Sequence, residues 1–334
     1  MTPTATTWSP VRKTLAAAGL SALALLTAAA AATAAPVPAP HPPGALGTLD
    51  PGFGTGGTVV TRFPDIAAGA SGIALQGDAI IAVGGALQDG NADFLLARYR
   101  ADGGLDRAFG AGGQVVTPFN LVQGAGGAEA VAVQKDRRIV VVGTAGLGTD
   151  TEIGFAVVRY RPDGRLDRSF GGDGVVVSPV GAGGDAGASD VVVQPDGRIV
   201  VVGGANDASG DAVFAAARYL KDGTPDPDFG TGGTTLVHIP GGDAMATAVT
   251  LQPDGKIILA GTAIGEGNVG QQFGLVRLTT GGQLDPTFGD AGIVVAQNVP
   301  SQGKGGAAAV AVDTTGRIVV AGLGQTPAGQ GRSG

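Results

Sequence analysis

A short motif, Asp-x-x-Phe-Gly, occurs five times along the chain and divides most of it into repeats. The successive phenylalanines of this marker motif are 56, 61, 59 and 59 residues apart. Self-similarity at a fixed period is typical of solenoids, propellers and other repeat architectures. The repeat therefore constrains the fold more than any other feature of the sequence. The marker residues are Asp50 and Phe53, Asp106 and Phe109, Asp167 and Phe170, Asp226 and Phe229, and Asp285 and Phe288.

Each repeat contains short runs of residues that favour β-strands. In the third repeat they are Val175–Val180, Asp190–Gln194, Ile199–Val202 and Phe214–Leu220. Pro-Asp-Gly separates the middle two runs, and an Asp-Gly pair between strand-like runs is a strong signal for a tight hairpin. Outside the amino-terminal segment, no stretch has the periodicity of an amphipathic helix. The pattern predicts an antiparallel meander in every repeat.

A single four-stranded meander cannot bury both of its faces, so neighbouring repeats must stack. Radial stacking gives a β-propeller, and a linear β-solenoid with shorter, parallel coils is the alternative. Hydrophobic residues make up 43% of the chain and aromatic residues only 4%, so aliphatic side chains must fill the core. We predict an all-β fold: a β-propeller of four-stranded antiparallel meander blades over residues 46–324, with about five blades.

The fifth predicted blade is incomplete. Its two inner strands lie in Ala307–Gly322, and its outer strand can come from Thr58–Phe63 at the other end of the chain. A run equivalent to the third strand is missing. Two interpretations follow: a ring that closes one strand short, or a shortened form of a longer array whose free edge needs a partner.

The amino terminus has the pattern of a secretory signal peptide over residues 1–34. Arg12 and Lys13 precede an uncharged run at Leu15–Ala32, and a small-x-small site predicts cleavage between Ala34 and Ala35. The alternative is a membrane anchor, but alanine is a weak lipid partner. Residues 35–45 form a Pro-rich linker containing His41, and residues 325–334 are expected to be a flexible tail. We therefore expect a secreted, extracellular protein without membrane contact after cleavage.

Composition excludes several function classes. The chain has 21 basic and 28 acidic residues, which argues against binding to nucleic acid. It has no cysteine, which excludes disulfides, thiol catalysis and thiolate metal sites. Nucleophile-elbow, HExxH and P-loop motifs are missing as well.

The repeat resembles a known family. The pattern LDxxFGxGGxVV, followed by AVAVQPDGRIVVVG and then FxVVRYxxDG, is similar to the bacterial delta-60 repeat. The resemblance covers residues 46–322 and departs from the family at Gln76-Gly77-Asp78 and at Pro225. It implies an exported propeller, and it implies no chemistry, because members of the family are largely uncharacterised.

The repeated polar residues have a predicted structural role. The marker aspartate is expected to close an Asx-turn, while its phenylalanine fills the gap between blades. One arginine recurs in each fourth run, and we expect it to pair with a nearby marker aspartate rather than to bind an anion. These arginines are Arg98, Arg159, Arg218 and Arg277.

Alternation in a meander separates two kinds of connection. The Asp-Gly hairpins and marker loops lie on one face, here called the hairpin face. The connections that differ between repeats lie on the other, here called the loop face, which is the candidate binding surface. These variable connections are Pro64–Gly69, Asn120–Gly127, Gly181–Gly187, Pro240–Ala244, Ala86–Asp93, Ala145–Gly154, Ala205–Ala212 and Ala263–Gln272.

Two variable loops place oxygen ligands at alternate positions, as calcium prefers. They are Asp89-x-Asn91-x-Asp93 and Asp207-x-Ser209-x-Asp211. Neither continues as an EF-hand, because its glycine and final glutamate are absent, so only a looser calcium loop or an ordinary acidic surface remains. His238, at a strand end, is expected to have a packing role.

Two hypotheses about function result. The first is a secreted propeller that acts as a binding or interaction scaffold, without catalysis or cofactor, for an unknown protein or glycan ligand. The second is a propeller hydrolase or lyase that uses loop carboxylates, with calcium assistance. Convergence of three or more loop acids would favour the second hypothesis. We expect a monomer unless the open edge pairs.

Overall fold

The computed structural model describes residues 48–63, 67–88, 91–119, 126–147, 152–182, 184–264, 270–296 and 305–324. The predicted signal peptide, the linker and the tail lie outside this part of the chain. Eighteen strands are present in it. They are β1 (Ala67–Gln76), β2 (Ala79–Gln88), β3 (Asn91–Tyr99), β4 (Gln114–Thr117), β5 (Gly127–Val133), β6 (Ile139–Gly146), β7 (Ile153–Tyr160), β8 (Val175–Ser178), β9 (Ala186–Val193), β10 (Ile199–Asn206), β11 (Ala212–Tyr219), β12 (Thr234–Val237), β13 (Ala244–Leu251), β14 (Ile257–Ile264), β15 (Gln271–Leu278), β16 (Ile293–Ala296), β17 (Gly306–Val312) and β18 (Ile318–Leu323).

Four sheets of four strands and one of two strands make up the fold. Within each sheet, strands that are neighbours in sequence are hydrogen-bonded neighbours and run antiparallel. The sheets are blades one to four (β1–β4, β5–β8, β9–β12, β13–β16) and the half-blade β17–β18. This confirms the prediction of an all-β fold of four-stranded meander blades, the last of them incomplete. The described residues contain no helix with the length and hydropathy needed to cross a bilayer.

The core lies between blades rather than within them. One cluster joins Val140 and Phe155 of blade two to Val201 and Ala215 of blade three, and equivalent clusters fill the other gaps between blades. The marker phenylalanine Phe170 belongs to this layer and is fully buried. Stacking therefore excludes water from sheets that are too small to do so alone.

Every innermost strand has a β-bulge at the same place. The register of β9 against β10 shifts between Ala188 and Asp190, which leaves Ser189 without a facing residue. A glycine lies on the second strand at this point, and a Cβ atom on Gly203 would be 2.0 Å from the carbonyl oxygen of Gly187. The glycines in the second strands are therefore required by the close approach of two backbones. The residues at the bulges are Ser71, Glu129, Ser189, Thr247 and Ala308.

The sequence predicts that Thr58–Phe63 supplies an outer strand to the fifth blade, and the described residues do not form the corresponding ladder. This segment has one isolated bridge, from Thr55 to Thr58, and forms no ladder with β18. Instead it lies beside blade one, where Tyr99 Oη is 2.6 Å from Thr61 Oγ1. Tyr160 contacts Thr117 of the preceding outer strand in the same way. The segment thus occupies an outer-strand position, but a ladder cannot form without a third strand to pair with.

Candidate functional site

The hairpin face is built around the marker aspartates and the repeated arginines. Arg159 lies on β7 with its Nε 2.8 Å from Asp167 Oδ2, and the other three repeated arginines approach their own marker aspartates within 2.9 Å. Asp167 Oδ1 accepts the backbone N–H of Ser169, which closes the turn. The Arg159 guanidinium also covers the Phe170 ring at 4.7 Å. Each of these four markers therefore combines an Asx-turn, an ion pair and a cation–π contact.

A second cation reaches the same carboxylate from the hairpin between the first two strands. Arg138 Nε lies 2.8 Å from Asp167 Oδ2, and Lys256 Nζ lies 3.0 Å from Asp285 Oδ2. Burial alone would raise the pKa of Asp167, but hydrogen bonds from Ser169 and the charges of Arg159 and Arg138 outweigh it and hold the pKa below its ordinary value. These carboxylates therefore stay ionised and paired.

The same arginines also join each blade to the next. The Nη1 atom of Arg98 donates to the carbonyl oxygen of Pro162, and those of Arg159 and Arg218 donate to Lys221 and Thr280. Each acceptor is the second residue after the third strand of the next blade. These repeated arginines are therefore used in contacts within and between blades.

The variable connections do meet on the other face. Asn206 donates its backbone N–H to the carbonyl oxygen of Asp185, and Ile264 does the same to Asp243. Each contact joins the connection after a second strand to the connection that precedes the first strand of the same blade. The loop face is thus formed by two kinds of variable connection lying side by side.

A cluster of metal-ligating groups lies on the loop face at blade three. Ligand atoms of Asp207, Asp211 and His238 are all within 4.8 Å of one another. His238 Nδ1 is 3.7 Å from Asp207 Oδ2, and its side chain is 53% exposed. Asp207 Oδ1 accepts the backbone N–H groups of Ser209 and Asp211, which fixes the loop. We call this set the Asp207 cluster.

The structure changes the expected composition of this site. Sequence reasoning grouped Asp207, Ser209 and Asp211 and gave His238 a packing role, whereas His238 lies against Asp207. Calcium takes oxygen ligands, while an imidazole with carboxylates suits zinc and other transition metals. The position of His238 after an outer strand, at the start of a variable connection, was the signal that could have placed it on this face.

The other predicted calcium loop is not assembled by the described residues. Asp89 lies outside them, and the side chain of Asn91 is not described. Asp93 is buried, and its Oδ1 accepts the backbone N–H of Phe119 at 3.2 Å. In blade four, Asp243 Oδ1 accepts the backbone N–H of Ala212 in the same manner. These two loop carboxylates stabilise backbone groups and do not converge on a shared pocket.

Two carboxylates on innermost strands were not found by sequence reasoning. Glu129 lies at the β5 bulge, and burial raises its pKa to about 7. Burial raises the pKa of Asp190 on β9 to about 6, although its oxygens accept the N–H groups of Val191 and Val249. The equivalent positions of other repeats hold small residues such as Ser71 and Gly72. Alignment of the repeats against one another would have shown both acids as departures.

Four segments of the chain match a family model described as "Domain of unknown function (DUF5122) beta-propeller". They cover residues 79–109, 134–170, 194–229 and 252–288, and each ends at a marker phenylalanine. Four repeats of the chain are therefore similar to those of a β-propeller family, in agreement with the stacked four-stranded sheets. No curated protein matches the chain.

Several solved structures are similar at low identity. An endo-arabinase from Bacteroides thetaiotaomicron is 14% identical over 73% of this chain and 84% of its own, with a TM-score of 0.40. A protein of unknown function from Dyadobacter fermentans is 14% identical over 77% and 72%, with a TM-score of 0.45. A GH43_1 enzyme from Xanthomonas citri is 10% identical over 74% and 79%, with a TM-score of 0.39. These likenesses carry no argument about the chemistry of this chain.

Proposed function

We propose that the protein is a secreted β-propeller that acts as a binding scaffold, with delta-60-type repeats as its framework and the loop face as its binding surface. The observation that supports this is that the charged side chains of the two faces differ in their contacts. Repeated charges on the hairpin face are consumed by contacts within and between blades. The Asp207 cluster, in contrast, has no counterpart among the described residues of the other blades, and its His238 side chain is accessible.

The pattern of acids on the loop face supports binding over hydrolysis. The Asp207 cluster contains two carboxylates and one imidazole, and the described carboxylates of Asp93 and Asp243 are bound to backbone N–H groups. Export follows from the basic residues, apolar run and small-residue site of residues 1–34. A protein or glycan outside the cell is the class of ligand that such a surface would meet.

The test is binding to a glycan panel, with and without Zn²⁺ or Ca²⁺. We expect retention of at least one glycan by the full chain and its loss in the variant Asp207→Asn/His238→Gln. Asp290→Asn is the control, because Asp290 is an exposed acid near a marker on the hairpin face. Retention that is equal in all three proteins, or no retention of any glycan or extracellular protein, would contradict the proposal.

The second candidate is a propeller hydrolase or lyase, and the observation that favours it is Glu129. A carboxyl group with its pKa raised to about 7 keeps its proton at pH values where an ordinary carboxyl group is ionised, as a general acid requires. Release of reducing ends or unsaturated products from a polysaccharide panel would test it. Activity that is lost in Glu129→Gln and kept in Asp290→Asn would support catalysis, and no turnover of any substrate would exclude this candidate.

A further inference from the structure

The connection between β7 and β8 carries a group of arginines that the repeat does not explain. Arg161, Arg165 and Arg168 line a depression of about 560 Å³ on the hairpin face of blade two, together with Leu166 and Asp173. The three arginines are exposed, and Leu166 is half-buried. A depression of this volume is within the range of small-molecule sites. The arginines therefore line a concave site with room for more than a bare inorganic ion.

Backbone hydrogen bonds fix the positions of these residues. Arg161 donates its N–H to the carbonyl oxygen of Arg165 at 2.7 Å, and Gly164 donates its N–H to the carbonyl oxygen of Arg161. The two arginines thus lie at the facing ends of one tight turn. At the other end of the connection, Asp173 Oδ1 accepts the backbone N–H of Val175 at 2.9 Å. Turns held in this way by a packed sheet are a suitable support for a binding site.

The fold does not require the three arginines. In blades three and four the equivalent positions hold neutral residues, yet the same backbone hydrogen bond closes the turn there. In blade one the middle position is Gly104. The neutral residues are Leu220, Thr224 and Pro227 in blade three and Thr279, Gln283 and Pro286 in blade four. A structural role therefore does not account for the three arginines of blade two.

The positive charge of this depression is not balanced by its own acids. Arg165 Nη1 lies 3.1 Å from Asp163 Oδ2, but the Arg165 side chain is 79% exposed, and such exposed pairs contribute little. Arg161 and Arg168 form no ion pair within the described part of the chain. Asp173 is the one carboxylate that lines the depression. A local excess of positive charge in a chain with a net charge of −7 is suited to an anionic ligand.

The surroundings of the depression indicate which anion it suits. Guanidinium groups pair with carboxylate, sulfate and phosphate oxygens through two parallel N–H donors. Leu166 adds an apolar surface that the C–H groups of a sugar ring can contact. At physiological salt the arginines act over about 8 Å, which is the span of one or two sugar residues. A long nucleic acid or an anionic membrane would instead meet the acidic remainder of the protein.

We propose that the depression lined by Arg161, Arg165 and Arg168 is a binding site for an anionic sugar residue. Its carboxylate, sulfate or phosphate group pairs with the guanidinium groups, and its ring lies against Leu166. This site is on the hairpin face and shares no residue with the Asp207 cluster. The two proposals can therefore fail independently.

The probes are galactose trimers, titrated into the full chain and followed by calorimetry. One trimer is neutral, and the others carry a carboxylate, a sulfate ester or a phosphate ester in place of the primary hydroxyl group. We expect one site per chain for at least one anionic trimer and no binding of the neutral trimer. The affinity should fall as the NaCl concentration rises, because salt screens exposed charges. Comparison of the three anionic trimers identifies the acidic group that the site prefers.

The double substitution Arg161→Leu/Arg168→Pro tests the assignment, because it introduces the residues that blade three has at these positions. It should weaken binding by at least about tenfold. The matched control is Arg100→Leu/Arg107→Pro, which makes the same changes and removes the same charge at the equivalent positions of blade one. It should leave the affinity unchanged. Thermal unfolding without sugar verifies that both variants are folded.

Four results would overturn the proposal. No anionic trimer binds, or the neutral trimer binds as tightly as the anionic ones. The two double variants weaken binding equally, which would mean that the overall charge of the protein and not this depression attracts the sugar. Finally, a single-stranded oligonucleotide, or a vesicle of phosphatidylcholine and phosphatidylglycerol, binds these arginines more tightly than every trimer, which would assign the depression to another class of ligand.

Discussion

At the scale of single residues, Glu129 makes the stability of the protein depend on pH. It has no hydrogen-bond partner in the described structure, and burial raises its pKa from 4.5 to about 7. Between these values the folded state holds a proton that the unfolded state releases. The free energy of unfolding therefore falls as the pH rises through this window. We expect Glu129→Gln to have little effect at pH 4 and to stabilise the protein by about 2–3 kcal/mol at pH 8.

Urea denaturation at the two pH values measures this effect. Asp290→Asn removes an acid for which the described structure gives no side-chain contact, and it should change stability by less than about 0.5 kcal/mol at both. A Glu129→Gln effect of the same size at pH 4 and pH 8 would mean that the carboxylate does not titrate in this range. If Glu129 were a catalytic acid, this substitution would stabilise the protein and abolish turnover together, as expected when function opposes stability.

Arg137 has an unfavourable backbone conformation that should lower the free energy of unfolding of the protein. Its φ is 67°, while glycine occupies the same hairpin position as Gly197, Gly255 and Gly316. Because a Cβ atom makes this conformation unfavourable, Arg137→Gly should stabilise the protein by about 1 kcal/mol. The carbonyl of residue 137 would still accept the Gln76 side chain. Asp136→Gly, in the same turn but without a positive φ, should destabilise, and thermal unfolding of both variants decides the point.

At the scale of the element, substitution of a marker aspartate should strongly destabilise the protein only where that aspartate forms an ion pair. Asp226 and Arg218 are each 2% exposed and lie 2.7 Å apart. Asp226→Asn leaves a buried guanidinium without its counter-charge, which we expect to cost about 3–5 kcal/mol. Asp50 has the same motif and the same Asx-turn, but it is exposed and forms no ion pair within the described residues.

Asp50→Asn should therefore cost less than about 1 kcal/mol in the same urea titration. The pair of variants separates the turn from the ion pair, since both substitutions keep a side-chain oxygen that can accept the turn N–H. Equal costs at the two positions would show that the turn, and not the buried charge, accounts for the conservation of the motif within the chain's own repeats.

Elements were predictable from the sequence because the repeats report the same structure several times. The strand signal of a single run such as Val175–Val180 or Ile199–Val202 is weak. Five aligned repeats of the same runs predict the strand order and the hairpins clearly. At Thr58–Phe63 the described residues form no ladder, because a β-strand needs a hydrogen-bonded neighbour and the sequence of a segment does not contain that neighbour. The Asp207 cluster and the burial of Glu129 could not be predicted for a related reason, because the cluster joins two separate connections of blade three and the burial depends on what packs around β5.

At the scale of the whole molecule, stacked repeats behave as a nearly one-dimensional array, in which stability depends on contacts with both neighbours. Blades two and three are flanked on both sides, and β10 and β11 are buried throughout. Among the described residues the half-blade has a neighbour on one side, and four of the six residues of β18 are exposed, Val319 and Leu323 among them. Local opening should therefore begin at β17–β18.

Native-state hydrogen exchange tests this gradient along the chain. We expect the amides of β10 and β11 to exchange at least about 100-fold more slowly than those of β17 and β18 in the free protein, because opening an end of the array breaks fewer contacts than opening its middle. Arg317→Gln should leave this gradient unchanged, since its only described ion pair lies within the hairpin itself. Exchange of β18 as slow as that of β10 would contradict this gradient.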